Sequence, residues 1–234
     1  MQPCGAFEET ERSRCARRRL DITGCERELM GGSKVLGDAR SLGGERGDGS
    51  HELREIVMGL HWDPPPAGVT ADLDALCVLF DPSGRNLEVI HPGHPRGADG
   101  SVVHTGDSRN GASAWDDERI FVFLDALPKA VHEFAFVVLS ASGQSFDEVP
   151  GALCHVSDAS SESALVRVEL TSVAGRTEHL VASAHREASG WRIAAGGPAL
   201  PAGLIAALRR QIGDGKRSAT GRSRSPRGPS RSDR

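Results

Sequence analysis

The chain has 234 residues, 28 Lys and Arg against 32 Asp and Glu, 38% hydrophobic residues and only 4% aromatics, with no Tyr. That length allows one large domain or two small ones, and 28 Gly with 13 Pro argue for many turns and a lean core rather than a helical bundle. No apolar run approaches the roughly 18 residues of a membrane span, and five scattered cysteines, odd in number and without a Cys-x-x-Cys pair, argue against a disulfide framework and for a reducing compartment, with a cytoplasmic location expected.

Along the chain the charge is segregated. Residues 1–50 hold nine acids and nine bases, and Gly31-Gly32, Gly43-Gly44 and the stretch from Gly47 to Ser50 read as linker. This extension is expected to be largely disordered. Arg17, Arg18 and Arg19 have no apolar stretch behind them, so no secretory signal is expected, and Glu8, Glu9 and Glu11 count against an organelle transit peptide. From 51 the composition changes. Short apolar runs predict strands over 53–61, 75–81, 86–91, 118–124, 133–140, 151–157, 164–170, 178–186 and 190–195. In 164–170, Val166, Val168 and Leu170 alternate with Arg167 and Glu169, the period of a half-buried strand. Phe134 to Leu139 is continuously apolar, as expected of a strand covered on both sides. Turns are signalled by Asp81-Pro82-Ser83-Gly84, Asp99-Gly100 and Ser189-Gly190. One helix is expected over 204–212, where Leu204, Ile205, Leu208 and Ile212 share a face between Pro201 and Gly213. The fold class that follows is all-β: an antiparallel two-sheet sandwich over 51–213 with a short C-terminal helix and disordered termini. Residues 214–234 form an Arg/Ser tail with seven bases against Asp214 and Asp233. It is read as solvated, with nucleic acid and acidic protein surfaces as the contacts its charge permits.

Residues 51–215 carry 22 acids and 12 bases, and the acids gather where chemistry is possible. Asp72 and Asp74 stand two apart at the entry to a strand. Asp107 follows Gly106 in a polar loop, and Asp116, Asp117 and Glu118 lead into the next strand. Such clusters serve as caps and solvated turns, or else hold a cation that relieves carboxylate repulsion. Of the cations, calcium fits best, since it takes six to eight oxygens at about 2.3–2.6 Å in irregular geometry. Zinc would want Cys and His, which these clusters lack, and no EF-hand spacing is present.

The run DGSVVHTGD (Asp99–Asp107), followed by DDERI (Asp116–Ile120), resembles the signature of the TerD family of tellurium-resistance and stress proteins. GLHWD (Gly59–Asp63), DLDA (Asp72–Ala75), GQSF (Gly143–Phe146) and SGWRIAAGG (Ser189–Gly197) agree in order, and the resemblance spans about 30–213. It implies a calcium-binding β-sandwich without established catalysis, acting in tolerance of tellurite and other stresses beside other tellurium-resistance and stress proteins. Carried over residue by residue, it implies Asp72, Asp74, Asp107, Asp116, Asp117 and Glu118 as the calcium ligands, with Gly106 a carbonyl contributor. The chain departs from the family pattern at Thr70, Leu76 and Ser108, and the loop Ala112 to Trp115 has lost its acids. Fewer charged ligands imply weaker binding, and one of two metal positions could be missing.

Other groupings point to bland roles. His91 and His94 lack a third ligand and are expected in an exposed loop; His104 is expected to pack, and Cys77 and Cys154 to behave as small core residues. Trp115 is expected to be buried as a loop anchor. There is no Gly-x-Ser-x-Gly and no phosphate-binding Gly-rich loop. Two further readings are an acidic interaction module regulated through the Arg/Ser tail, and a metal-dependent hydrolase, for which no nucleophile or general base is identifiable. The chain is expected not to be an enzyme.

Overall fold

The computed structural model describes residues 53–197, 200, 203–210 and 212, together with the backbone of 35–36 and 40–42. The disorder expected of most of 1–50 and of 214–234 lies outside the described residues. Among the described residues, thirteen strands form two antiparallel sheets. They are β1 (Val35–Leu36), β2 (Arg40–Leu42), β3 (Glu55–His61), β4 (Leu73–Phe80), β5 (Asn86–Ile90), β6 (Arg96–Gly97), β7 (Val102–Thr105), β8 (Glu118–Phe123), β9 (Glu133–Ser140), β10 (Leu153–Asp158), β11 (Ala164–Glu169), β12 (Glu178–Glu187) and β13 (Gly190–Ala195). One sheet runs β1-β11-β10-β3-β8-β7-β6 and the other β2-β13-β12-β9-β4-β5. All nine expected strands are present. Four more were not expected: β6, β7, and the short β1 and β2 inside the stretch read as linker, which pair with β11 and β13.

Alternation explains how the sheets face one another. Val166, Val168 and Leu170 are buried while Arg167 and Glu169 are exposed. In β4 and β9 both faces are apolar because both are covered. Leu73, Ala75, Cys77 and Leu79 join Phe134, Phe136 and Val138 in the core between the sheets. Leu76, Val78, Ala135, Val137 and Leu139 form a second cluster on the outer face. A helix, α1 (203–210), lies over that cluster with Leu208 and, beyond its last full turn, Ile212 buried against it. Cys77 and Cys154 are free thiols buried in the core, and burial pushes both thiols well above their ordinary range. Among the described residues no helix is long and apolar enough to cross a membrane.

Arg209 fastens α1 to the sheet. Its guanidinium donates to the carbonyls of Ser140 and Thr177, to Thr177 Oγ1 and to Glu178 Oε2, at 2.8–3.1 Å. Burial opposes ionisation of Glu178, but hydrogen bonds from Thr177 and Arg209 outweigh it and hold its carboxyl below the usual range. Arg209→Met should therefore cost roughly 1 kcal/mol, a charged hydrogen bond discounted for its partial exposure, and raise amide exchange across 203–210. Because the folded Glu178 pKa is depressed, this contribution is full above the ordinary glutamate value of about 4.5. It is lost as pH falls through the folded value, so wild-type exchange should approach that of the variant only in acid.

Candidate functional site

Four chain segments meet at one end of the sandwich: the end of β3, the start of β4, the loop 106–117 between β7 and β8, and the start of β8. Asp74 is the second residue of β4 and Glu118 the first of β8, and both side chains are buried, 0% and 1% exposed. Asp107 stands at the rim. One carboxylate oxygen from each of Asp74, Asp107 and Glu118 lies within 4.8 Å of the other two.

The register explains why Glu118 reaches so far inward. The last β4–β5 pair is Cys77 with Ile90. Ala75 lies beyond it, and its N–H donates to Glu118 Oε2 at 2.6 Å instead of to a strand carbonyl. A carboxylate of one sheet thus closes the ladder of the other. His104, on β7, sits 3.4 Å from that same oxygen, and both side chains are wholly buried. Burial pulls the His104 pKa down to about 4, so the ring is neutral near pH 7 and leaves the local negative charge in place. It is a packed histidine, as expected.

The other acids expected at the site go elsewhere. Asp117 is a latch. Its Oδ1 accepts from Ser108 Oγ at 2.9 Å and from the Ser113 N–H at 3.2 Å, and its Oδ2 accepts from the Trp62 N–H at 3.1 Å. His61 Nδ1 lies 3.1 Å from Asp117 Oδ2 and 3.0 Å from the Trp115 carbonyl. Both neighbours are acceptors, so Nδ1 carries the proton and donates to the pair of them. Gly106, at φ +92°, brings its α-carbon against the Asp117 carbonyl, where a Cβ would sit 2.6 Å from the oxygen. Asp116 leaves the cluster for the outer face of the sheet: its Oδ2 accepts from Arg119 Nε at 2.8 Å, and its Oδ1 lies 3.2 Å from His155 Nε2. Asp72 immediately precedes β4, and its carbonyl accepts from the Ala141 N–H while its own N–H donates to Ser142 Oγ. It is not one of the three converging carboxylates.

Two expectations are corrected. Trp115 is 77% exposed, not a buried anchor. The anchor position is filled by Trp62, which is fully buried and lies so close to Gly111 that a Cβ there would be 2.5 Å from the ring. His91 is buried rather than exposed: its Nδ1 accepts from the Gly93 N–H, and His94 instead turns outward to Glu88 at 2.7 Å. Among the described residues this histidine pair does not gather a third ligand into a metal-sized group. The latch partners His61, Ser108 and Ser113 were not foreseen, although His61 lies inside the GLHWD string and Ser108 beside Asp107.

Comparison with known proteins agrees with this architecture. The TerD domain matches residues 47–211. Tellurium resistance protein TerZ of Serratia marcescens is 36% identical over 160 residues, covering 64% of this chain and 82% of the relative. General stress protein 16U of Bacillus subtilis (strain 168) is 30% identical, covering 65% and 84%. The crystal structure of a homologue of telluride resistance protein (TerD) from Streptomyces coelicolor A3(2) superposes with a TM-score of 0.58 at 25% identity, covering 66% of this chain and 95% of that one.

The latch makes a separable prediction. Asp117→Ala removes the acceptor for at least three donors, two of them backbone N–H groups, and should cost about 3 kcal/mol or more, read as a lower urea midpoint. Gly106→Ala should cost about 1–3 kcal/mol through its left-handed backbone. Midpoints within error of wild type for both would show that the loop does not depend on this latch.

Proposed function

The chain belongs to the TerD family, and from that premise we propose that it is a calcium-binding stress-response protein of the cytoplasm, in which the ion fastens the loop ends of the two sheets and takes no part in catalysis itself. The family's stress and tellurium-resistance members support the stress role. The observation that carries the metal is the convergence of Asp74, Asp107 and Glu118 within 4.8 Å, two of the three buried. Two carboxylates removed from water this close together raise each other's cost of ionisation, and a cation between them offsets it.

The donor set favours a hard ion. All three converging groups are carboxylates, with no Cys or His among them, which argues against zinc. Three carboxylates leave several calcium positions to carbonyl groups and water, which a loop containing Gly106 and Ser108 can provide. Asp116 and Asp117 contribute indirectly in this reading, Asp117 by holding the loop and Asp116 hardly at all. Ser108, which replaces the family's usual Asn, has its hydroxyl committed to Asp117, and the reduced acid count accords with weak rather than tight binding. Buried free thiols at Cys77 and Cys154 accord with a reducing compartment.

Calorimetric titration of the full chain with calcium should give saturable heat, and a concentration of 100 Kd should add about 2.7 kcal/mol of stability. Asp74→Asn with Asp107→Asn should abolish both effects, while Asp116→Asn should leave them in place. Neither heat nor a melting shift with the wild type would remove the proposal.

A further inference from the structure

On the outer face of the first sheet, away from the three-carboxylate cluster, β10, β3 and β8 frame a cleft of about 350 Å³. Two cross-strand rows line it. His155 pairs with Gly59, which pairs with Arg119; one step along, Ser157 pairs with Val57, which pairs with Phe121. The middle of the first row is empty because residue 59 has no side chain. A methyl there would overlap His155 Nε2 and lie 2.6 Å from Asp116 Oδ2. The glycine thus admits Asp116, arriving from the loop, to meet the imidazole over the strand. Beside Ser157 the register between β10 and β11 slips, from Val156 opposite Val166 to Ser157 opposite Ala164. Irregularities of this kind recur next to active sites, where they re-aim a side chain.

The contacts form a chain. Ser157 Oγ lies 3.0 Å from His155 Nδ1, His155 Nε2 lies 3.2 Å from Asp116 Oδ1, and Asp116 Oδ2 accepts from Arg119 Nε at 2.8 Å. With a carboxylate oxygen as its neighbour, Nε2 is the nitrogen that donates, which leaves the Nδ1 lone pair facing the Ser157 hydroxyl. The two ring nitrogens are exchanged relative to the usual serine–histidine–aspartate order, but the roles are the same: one accepts the hydroxyl proton while the other is held by a carboxylate.

We propose that Ser157, His155 and Asp116 form a nucleophilic site that hydrolyses small carboxylic esters in this cleft. Ser157 Oγ bonds to the acyl carbon as its proton passes to His155 Nδ1, and the oxyanion is met by the guanidinium of Arg119, whose Nε is already fixed by Asp116. Collapse breaks the bond to the alkoxide, which leaves with the proton from Nδ1. Water then adds to the acyl-serine, giving its proton to Nδ1, and the acid departs as Ser157 Oγ takes that proton back. One ester and one water become one acid and one alcohol. Ser157 and His155 are the catalytic residues, and Asp116 is a positioning residue acting through the imidazole. Val57 and Phe121 suit a short apolar acyl group, while Asp158 and Glu162 on the wall disfavour an anionic substrate. The substrate class is therefore neutral or cationic short-chain esters.

The test uses the full-length protein with p-nitrophenyl butyrate and a fluorophosphonate probe. Hydrolysis should saturate, and peptide mapping should place a single phosphonyl adduct on Ser157. Ser157→Ala should abolish the adduct, and both it and His155→Gln should lower kcat/KM at least about 100-fold, as expected for loss of a nucleophile or its general base. Asp116→Asn should lower kcat while leaving KM within about twofold, which a loss of folding would not reproduce. The proposal is overturned if the wild type takes no adduct, takes it at another serine, or if hydrolysis survives in Ser157→Ala. Adduct mapping on the wild type decides the matter even if a variant fails to fold.

Discussion

The hydrogen bond from the Ala75 N–H to Glu118 Oε2 is the contact on which the functional end of this sandwich depends. Strand β5 is too short to pair with all of β4, so β4 enters the core with a backbone donor that water cannot reach. An apolar residue at 118 would leave that donor unsatisfied at a cost of about 1–3 kcal/mol. A glutamate satisfies it, but only by bringing negative charge between the sheets, next to Asp74. The two problems are solved together if a cation shares the carboxylates. The ladder defect and the acidic cluster are then one feature: the backbone needs an acceptor, the acceptor is charged, and the charge needs a counter-ion.

The three consecutive acids 116–118 show how strand geometry divides labour among identical chemistries. Glu118 is the first residue of β8 and faces the core. Asp117 still belongs to the loop and turns back along it, where His61, Ser108, Ser113 and Trp62 take up its oxygens. Asp116 emerges on the opposite face of the sheet, over Gly59. Only one of the three is placed to share an ion with Asp74 and Asp107. The string is a junction, and its members are bound to three different environments within three residues.

That division marks the limit of what the sequence disclosed. The strands of five or more residues were legible because burial of one or both faces leaves a mark in the sequence, continuous in β9 and alternating in β11. β7 has four residues, and β1, β2 and β6 have three or fewer, too few to show a period; they exist through pairing with neighbours distant in the chain. At the site, Asp74, Asp107 and Glu118 were named among seven candidates, but spacing could not tell which acids would converge, because that depends on which sheet face each one reaches. Trp115 was misjudged for a related reason. A large apolar residue in a polar loop is expected to bury itself, yet the space beneath this loop is already filled by Trp62, packed against Gly111. His155 and Ser157 gave no signal at all, since a His-x-Ser pair on one strand face acquires meaning only when Asp116 crosses over Gly59.

Charge bookkeeping over the whole domain would have misplaced the emphasis. Ten excess negative charges over 51–215 invite a global argument for a cationic partner. In the fold, many acids of the domain are held by a nearby donor: Asp81 by Arg85, Glu88 by His94, Asp116 by Arg119 and His155, Glu133 by His185, Glu178 by Arg209 and Glu187 by Arg192. These pairs sit at the surface or half-buried, where water and salt screen what remains. At the acidic cluster the compensation differs in kind. Arg109 reaches only the exposed Asp107, at 3.3 Å, and the ring beside Glu118 is a neutral histidine. Burial sharpens electrostatics as much as it penalises charge, so a pair of buried acids at this end of the sandwich weighs more on function than the larger excess outside it.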